Sequence, residues 1–271
     1  MKDVTHPYLA NMPSFEKDGV PQLTGFRRGT IAKSVVLAVR DPLTVGSGAA
    51  PDAITQHLDG ATLVAETGLF TTFTGTHRGV PISVVNTGSG APEAELVLMD
   101  LFNHTDAETV IRIGGSGGWS DKVKVGDAVI TSGAVRDEGL TKAHVRAEYP
   151  AFAHHTVVAA MVAEAEALGV PHHVGVTRCG DSEYTGWGKP GPGGYLQPDH
   201  AEIIDYWRRA GILNTDRECA PIMVLAALYG RKGGSVCSIG DNLVTGEPHR
   251  SGAGYENAIR IGLGALARLG A

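Results

Sequence analysis

The sequence has few of the features that mark nucleic-acid-binding, exported or membrane proteins. Its 23 Lys and Arg residues are outnumbered by 29 Asp and Glu, which gives a formal net charge of −6. No run of basic residues supplies the positive surface that binding to a nucleic-acid backbone requires. The N-terminal residues contain no apolar stretch typical of a signal peptide, and no apolar run reaches about 18 residues. We therefore expect a cytoplasmic protein without nucleic-acid or membrane partners.

Cysteine is also scarce. Cys179, Cys219 and Cys237 are odd in number, far apart and set in apolar or glycine-containing surroundings. Disulfide frameworks and zinc sites use cysteines in even numbers or at short, regular spacings. We expect three reduced thiols and no metal site.

Common nucleotide-binding and catalytic motifs are absent as well. Residues 114–118 are rich in glycine but lack the Gly-Lys-Ser/Thr ending of a P-loop, and residues 88–90 lack the third glycine of a dinucleotide-binding turn. The chain has no Gly-x-Ser-x-Gly elbow and no paired Cys/His nucleophile. The chemistry that is available is electrostatic, from carboxylates, arginines and backbone N–H groups.

Segments typical of strands and of helices alternate along the chain, with a hairpin near the start that turns at Gly79. Strands are predicted at residues 34–40, 69–75, 80–86, 109–113, 128–131, 173–177 and 235–239, and helices at 92–102, 152–168, 200–210, 219–229 and 254–269. This alternation is typical of an α/β fold with a mostly parallel sheet and helices on both faces. No shift in composition divides the chain, so we expect one domain over residues 34–271 after an N-terminal arm over residues 1–33.

The helix predicted at residues 219–229 is apolar on every side, and three charged residues precede it. Charges beside so apolar an element cost free energy unless they are paired or used in a site. This applies to Asp216, Arg217 and Glu218. The simpler interpretation is a capping cluster, with the acids at the positive helix N-terminus and Arg217 as their partner.

The position of these charges at strand ends favours a ligand site over a capping cluster. Arg40, Arg112, the cluster 216–218 and Asp241 each follow or end a predicted strand. In open α/β sheets, ligands bind outside the carboxyl ends of the strands. Four polar groups that converge at one such edge make a ligand site the better prediction.

Seven segments of the chain occur in this order: FTGTHRGVPISVVNTGSGAP, VIRIGGSGG, KVGDAVITSGAVRDEG, EYPAF, GVTRCGDSEY, NTDRECA and CSIGDNLVTGE. Together they resemble the nucleoside phosphorylase family, which includes bacterial hexameric purine nucleoside phosphorylases and uridine phosphorylases. The resemblance implies a single α/β domain around a mixed, partly closed sheet flanked by helices. It also implies a homo-oligomer, a dimer or a trimer of dimers, that shares residues between neighbouring sites. The implied reaction uses phosphate as co-substrate and no cofactor, and it gives a free base and a pentose 1-phosphate.

The resemblance assigns roles to individual residues. Glu218 matches the glutamate that accepts the ribose hydroxyls, with Asp216 as a second acid beside it, and Arg112 matches an arginine that binds phosphate. Asp241 falls where purine-cleaving members place the acid that protonates the base, and uridine-cleaving members lack it, so a purine nucleoside is favoured. Further expected contacts are Arg40, Gly115 and Ser116 for phosphate, and Thr215, Arg217, Glu183, Asp181 and the N-terminal His6 for the nucleoside.

This sequence also departs from the family pattern. Thr44 and Gly68 stand where two phosphate-binding arginines are expected, each normally worth about 1.5–3 kcal/mol. Arg217 replaces a methionine under the ribose, and Glu183 replaces an aromatic residue that stacks on the base. The two either pair with each other or recognise an unusually polar substrate. The glutamine–arginine pair that reads uracil would fall at Trp187 and Lys189, so that reader is absent.

Three hypotheses follow. The first is a nucleoside phosphorylase that acts on purine nucleosides. The second is a nucleosidase on the same fold, with water in place of phosphate, because phosphate-binding residues are missing. The third is a non-catalytic or repurposed binding protein, because Glu183 and Arg217 stand in unexpected positions.

Overall fold

A mixed β-sheet runs through the centre of the protein, which we describe from a computed structural model that covers Tyr8 and residues 14–39, 41–45 and 50–271. The strands are β1 (Glu16–Lys17), β2 (Val20–Pro21), β3 (Ser34–Val39), β4 (Asp59–Glu66), β5 (Thr71–His77), β6 (Val80–Thr87), β7 (Thr109–Gly118), β8 (Ala128–Asp137), β9 (Ala151–Phe152), β10 (His172–Gly180), β11 (Asn214–Asp216) and β12 (Lys232–Asn242). The helices are α1 (Pro42–Val45), α2 (Ala50–Thr55), α3 (Ala91–His104), α4 (Leu140–His144), α5 (His155–Leu168), α6 (Ile203–Arg209), α7 (Cys219–Leu228) and α8 (Tyr255–Gly270).

Half of the large sheet closes on itself. Its strands follow the order β4–β5–β6–β3–β7–β12–β8–β10–β11, and β11 pairs back onto β7 through Asn214 with Gly118 and Thr215 with Gly117. Five strands therefore form a ring, from which β3, β6, β5 and β4 extend as an open sheet. The mixed, partly closed sheet implied by the resemblance is confirmed. The expectation of a mostly parallel sheet is corrected, because β12 runs antiparallel to β8 and β11 antiparallel to β7.

Both faces of the central strands are buried, which explains why β3 is apolar at almost every position. Val36 and Ala38 pack on one side with α5 and α8, whereas Val35 and Leu37 pack on the other side with α3 and α7. Alternate residues of a strand point to opposite faces, so a strand covered on both sides becomes a continuous apolar run. Phe26 and Ile31, which precede β3, belong to the second of these clusters.

The predicted hairpin is confirmed between β5 and β6. Arg78 and Gly79 form its two-residue turn, and both have positive φ, 50° and 79°. Such a turn matches the twist of the flanking strands, and glycine adopts it without strain.

Helix α7 confirms the prediction of a buried apolar helix. Its residues from Cys219 to Ala226 are all buried, Pro221 lies in its first turn, and Gly230 follows its end with φ of 68°. None of the helices within the described residues is long and apolar enough to cross a membrane.

Strand β7 is longer than predicted. It was expected to end at Ile113, but it continues through the glycine run to Gly118. Glycine has a low intrinsic preference for strands, yet β12 on one side and β11 on the other supply the hydrogen-bond ladder that holds it extended. The glycine run is therefore a wall of the ring and not a loop.

Candidate active site

A cavity of about 480 Å³ opens where β7, β11 and β12 end. It is bounded by residues 41–44 after β3, by residues 183–189 after β10 and by residues 249–253 before α8. Nine of the residues predicted for the site line it, namely Arg112, Gly115, Ser116, Glu183, Thr215, Asp216, Arg217, Glu218 and Asp241.

Three predicted site residues are not part of this arrangement. Asp181 does not line the cavity, and its carboxylate accepts the backbone N–H of Gly139 at 3.0 Å in an exposed position. Arg40 and His6 lie outside the described residues.

The buried pair of Arg112 and Glu218 connects two elements at the cavity floor. Nε of Arg112 donates to Oε2 of Glu218 at 2.8 Å, and both side chains are almost completely buried. The other carboxylate oxygen, Oε1, accepts the backbone N–H of Gly90 at 2.7 Å. Arg112 also donates to Sγ of Cys237 at 2.5 Å and to the carbonyl of Gly115 at 3.2 Å. A charged pair so fully hydrogen-bonded is held in one geometry.

Asp216 has a different function from Glu218 at the start of α7. Its carboxylate accepts the backbone N–H of Cys219 at 3.2 Å, so it caps the helix. The capping interpretation therefore holds for Asp216, but Glu218 points to Arg112, and Arg217 is not the partner of either acid. Burial raises the pKa of Asp216, the charge of Glu218 adds to this, and Arg112, with Nε at 3.5 Å, opposes it.

The glycines of β7 leave room for the side chains that surround them. A Cβ on Gly114 would lie 2.5 Å from Nη1 of Arg112, and one on Gly117 would lie 3.0 Å from Oδ1 of Asp241. A Cβ on Gly115 would overlap the hydroxyl of Thr44. The bare strand is what allows a cation, a hydroxyl and an acid to approach one stretch of backbone.

Asp241 is directed by an irregularity in β12. The register against β7 shifts between Ile239 and Asp241, which re-aims the side chain at the strand end. Next to it, the buried Asn242 donates to the carbonyls of Ser120 and Val123, both at 2.8 Å, and anchors the loop that follows.

The surroundings of Asp241 raise the pKa of its carboxyl group. Among the described residues, no donor reaches its buried Oδ1. Burial raises the pKa of Asp241, and the charge of His249, whose Nδ1 lies 3.8 Å from Oδ2, partly lowers it again. A carboxyl group with a raised pKa in a cavity is suited to general acid catalysis.

Arg217 lies across the cavity mouth from Glu183. Its Nη1 donates to the hydroxyl of Ser89 at 3.0 Å and stands 3.6 Å from Oε1 of Glu183. The two residues that depart most from the family pattern therefore pair with each other, as one of the two sequence interpretations expects. The pair is loose, because 28% of the Arg217 side chain and 45% of the Glu183 side chain remain exposed.

Two aromatic residues, Tyr184 and Trp187, line the same side of the cavity. Nζ of Lys189 lies 4.7 Å from the centre of the Tyr184 ring, and Trp187 meets Trp119 edge-on at 6.4 Å. Trp119 is fully buried, so it anchors Trp187. The rings of Tyr184 and Trp187 are among the groups that border the cavity.

Sequence reasoning missed two residues that contribute to the site. Cys237 was judged only as a thiol, yet it accepts a hydrogen bond from Arg112, and burial raises its pKa to about 11. His249 had no motif to mark it, and only its position eight residues after Asp241 places it over that acid. Both depend on strand register, which the sequence pattern does not give.

One group of side chains has the spacing of a metal site. The ligand atoms of Cys179, Asp216 and Cys219 all lie within 4.8 Å of one another. Burial raises the pKa of Cys179 to about 12, and it raises that of Cys219 as well. The thiolate is the form that binds a metal, so a metal ion here would have to displace both thiol protons.

Comparison with known proteins identifies the family. The model of the Phosphorylase superfamily matches residues 43–269. The chain is 40% identical over 183 residues to a uridine phosphorylase from Thermococcus kodakarensis, a match that covers 68% of this chain and 66% of that protein. It is 34% identical over 232 residues to a uridine phosphorylase from Treponema pallidum, covering 82% and 86%. It is 31% identical over 176 residues to a DeoD-type purine nucleoside phosphorylase from Mannheimia succiniciproducens, covering 65% and 68%.

A solved structure shares the fold. The uridine phosphorylase from Vibrio fischeri, complexed with 6-hydroxy-1-naphthoic acid, aligns with a TM-score of 0.74 and 25% identity, covering 88% of this chain and 92% of that one. The chain thus belongs to the Phosphorylase superfamily. Within it, the chain is a member of the nucleoside phosphorylases, which are pentosyltransferases.

Proposed function

We propose that this protein cleaves the N-glycosidic bond of a purine nucleoside with phosphate, giving the free base and a pentose 1-phosphate. The observation that carries the proposal is Asp241, a partly buried acid with a raised pKa and an oxygen that no donor of the described residues reaches, in the same cavity as the Arg112–Glu218 pair. Cleavage of the bond leaves an electron pair on the base and positive charge on the sugar, so an acid and a carboxylate are both needed.

The sugar is assigned to Glu218. Its two oxygens each accept one hydrogen bond from the protein, from Gly90 and from Arg112. Each carboxylate oxygen can accept two, so one site on each remains for the two ribose hydroxyls. The fixed carboxylate also stabilises the positive charge that develops on the sugar ring.

Phosphate is assigned to Arg112 and the glycine stretch of β7. Three N–H groups of Arg112 are already bound, to Glu218, Cys237 and Gly115, which leaves two of the five for an anion. Ser116 and Thr44 add hydroxyls at this wall. Thr44 itself donates to Asp41 at 2.6 Å, so it does not replace the charge of the expected arginine.

Asp241 is assigned to the base as general acid. Replacing it with asparagine removes the proton and keeps the shape, so we expect purine nucleosides to react about 10²–10⁴-fold more slowly. The test is the rate of base release from inosine, guanosine, adenosine and uridine, each with and without phosphate, for the parent and for Asp241→Asn. Equal rates for parent and variant on every purine nucleoside would remove this assignment.

Uridine is the second candidate substrate, favoured by the relatives that are uridine phosphorylases. Trp187 and Lys189 occupy the positions of the uracil reader, and both line the cavity. The same panel separates the two, because a uridine enzyme would cleave uridine fastest and would lose little when Asp241 is changed.

A hydrolase on the same fold is the alternative reaction, favoured by Thr44, a neutral side chain at this wall of the cavity. Base release in phosphate-free buffer, with no pentose 1-phosphate formed after phosphate is added, would establish it.

We also propose that residues 1–33 act as an arm before the domain 34–271, and that the enzyme works in the cytoplasm as a homo-oligomer with shared sites and no cofactor.

A further inference from the structure

His249 lies between Asp241 and a backbone carbonyl. Its Nδ1 is 3.8 Å from Oδ2 of Asp241, and its Nε2 is 3.1 Å from the carbonyl oxygen of Leu43. The ring atoms Cε1 and Nδ1 would lie 3.4 Å from a Cβ on Gly240, so this edge of the ring lies against the bulge that directs Asp241. The side chain is 37% exposed, so one edge of the ring reaches solvent.

The carbonyl of Leu43 fixes the tautomer of this histidine. A carbonyl oxygen only accepts hydrogen bonds, so Nε2 of His249 carries a proton and donates it. In the neutral ring Nδ1 then has no proton, and its lone pair faces Asp241. The pair therefore accommodates one shared proton, either on the carboxyl group of Asp241 or on Nδ1 of His249. A small rotation of the exposed ring closes the gap to a hydrogen bond of about 3 Å.

We propose that His249 is the positioning residue of Asp241, holding the carboxyl group in place and returning a proton to it after each turnover. The proposal rests on the function given above, in which Asp241 is the general acid. It adds a residue to which the sequence analysis assigned no role.

The proton and the electrons balance as follows. The bond between sugar and base breaks with its electron pair on the base, and the proton of Asp241 transfers to the base nitrogen. The carboxylate that remains lies beside neutral His249, and Nδ1 of His249 takes one proton from the solvent. That proton passes from Nδ1 to the carboxylate, which restores the pair with its one shared proton.

Other charged groups share the cavity with Asp241 and His249, and several of them are bound to partners of their own. The charged residues from the surrounding elements that share the cavity are Asp41, Arg112, Glu183, Lys189, Asp216, Arg217, Glu218 and Arg250. Among them, Asp41 is bound by Thr44 and the backbone N–H of Leu43, and Glu218 is bound by Arg112. His249 is the charged group that acts on the pKa of Asp241.

A coupled pair holds its last proton to a higher pH than the acid alone, because the proton can move to the stronger base. The kcat of the parent should therefore persist to higher pH than that of a variant without His249. The alkaline limb of the profile should therefore lie at lower pH in the variant than in the parent.

The test measures kcat and KM against pH for the parent, His249→Asn and His249→Ala, with two substrates. Inosine needs a proton on its leaving base, whereas 7-methylguanosine already carries a positive charge there and needs none. We expect His249→Asn to lower kcat for inosine about 10-fold or more at pH 7.5, in the range of general acid catalysis, and to leave 7-methylguanosine unchanged. His172→Asn is the matched control, since that histidine also contacts a backbone carbonyl, at 2.9 Å, but lies outside the cavity.

The possible outcomes are distinct. An equal loss on both substrates, or an unchanged pH profile in both His249 variants, overturns the proposal. If Asp241→Asn is slow on inosine while His249→Asn is normal, the proposed function survives and this inference fails. If Asp241→Asn equals the parent, the proposed function fails and this inference fails with it.

Discussion

Arg112 on β7 and Glu218 at the start of α7 are joined by a hydrogen bond of 2.8 Å between Nε and Oε2, although 106 residues separate them in the chain. This bond places the group assigned to phosphate beside the group assigned to ribose. It also offsets part of the cost of burying two charges, because each group is hydrogen-bonded to the other.

Changing Glu218 to glutamine should weaken substrate binding, and it should also weaken the fold because the buried Arg112 loses its charged partner. The amide keeps the size of the side chain and still offers an oxygen to Gly90, but the charge that accepts the ribose hydroxyls is lost. Hydrogen bonds to a charged group are worth about 1.5–3 kcal/mol, so kcat/KM should fall about 10- to 150-fold. Glu108→Gln, at an exposed salt bridge with Lys33, is the control and should keep full activity. Normal kcat/KM in Glu218→Gln would show that ribose binds elsewhere.

The bare glycine wall of β7 gives a second prediction. Gly114→Ala places a methyl group 2.5 Å from Nη1 of Arg112, so the guanidinium must leave its position between Cys237 and Gly115. A displacement of about 1 Å at a catalytic group can cost about 10²-fold in rate. We expect kcat/KM to fall by about that factor. Gly139→Ala, where the nearest atom would be 3.7 Å away, should be neutral. Comparable activity in the two variants would contradict this account of the glycines.

Glu164 should stabilise the fold in a pH-dependent way. Its buried carboxylate accepts Nη2 of Arg78 and Nε of Arg268, both at 2.6 Å, and joins α5 to the hairpin turn and to α8. Burial raises its pKa, but these two hydrogen bonds outweigh burial, so the pKa is lower than the ordinary 4.5. Because the folded-state pKa is depressed, the stabilisation is complete above about pH 4.5 and is lost as the pH falls through the lower folded value.

Urea unfolding of Glu164→Gln and the parent at several pH values checks this. We expect a loss of about 2 kcal/mol at pH 7 that shrinks steadily on acidification below pH 4.5. A difference that is constant between pH 7 and pH 3 would mean that the carboxylate charge is not involved. Glu166→Gln, on the same helix and exposed, serves as the control.

The pair of Arg217 and Glu183 should contribute little to stability. Its atoms are 3.6 Å apart and both side chains are partly exposed, a setting in which ion pairs are worth about 0.2–1 kcal/mol. A double-mutant cycle with Arg217→Met and Glu183→Gln should give a coupling energy for unfolding below about 1 kcal/mol. The same variants should change KM for nucleosides, because both residues line the cavity. A large coupling energy with unchanged KM would show a structural role instead.

The sequence was a good guide to elements whose pattern is local. The buried helix α7 followed from an unbroken apolar run, and the hairpin from Gly79 between two strand patterns. The extent of β7 could not be predicted, because its glycines are extended only through pairing with β11 and β12, which are far away in the chain.

The site was predictable in its charges but not in its contacts. Residue types and family motifs placed Arg112, Glu218 and Asp241 in one cavity. The partner of Glu218 was misjudged, because Arg217 is adjacent in sequence whereas Arg112 is adjacent in space. His249 was missed since its contact with Asp241 depends on the bulge in β12 and on the loop anchored by Asn242.

The most direct measurement is ³¹P nuclear magnetic resonance of the purified protein with inosine and inorganic phosphate, for the parent and for Asp241→Asn. The account predicts that a pentose 1-phosphate signal grows in step with hypoxanthine in the parent, and that the variant forms both at least about 10²-fold more slowly. Release of hypoxanthine without any sugar phosphate, or equal rates in the two proteins, would contradict it.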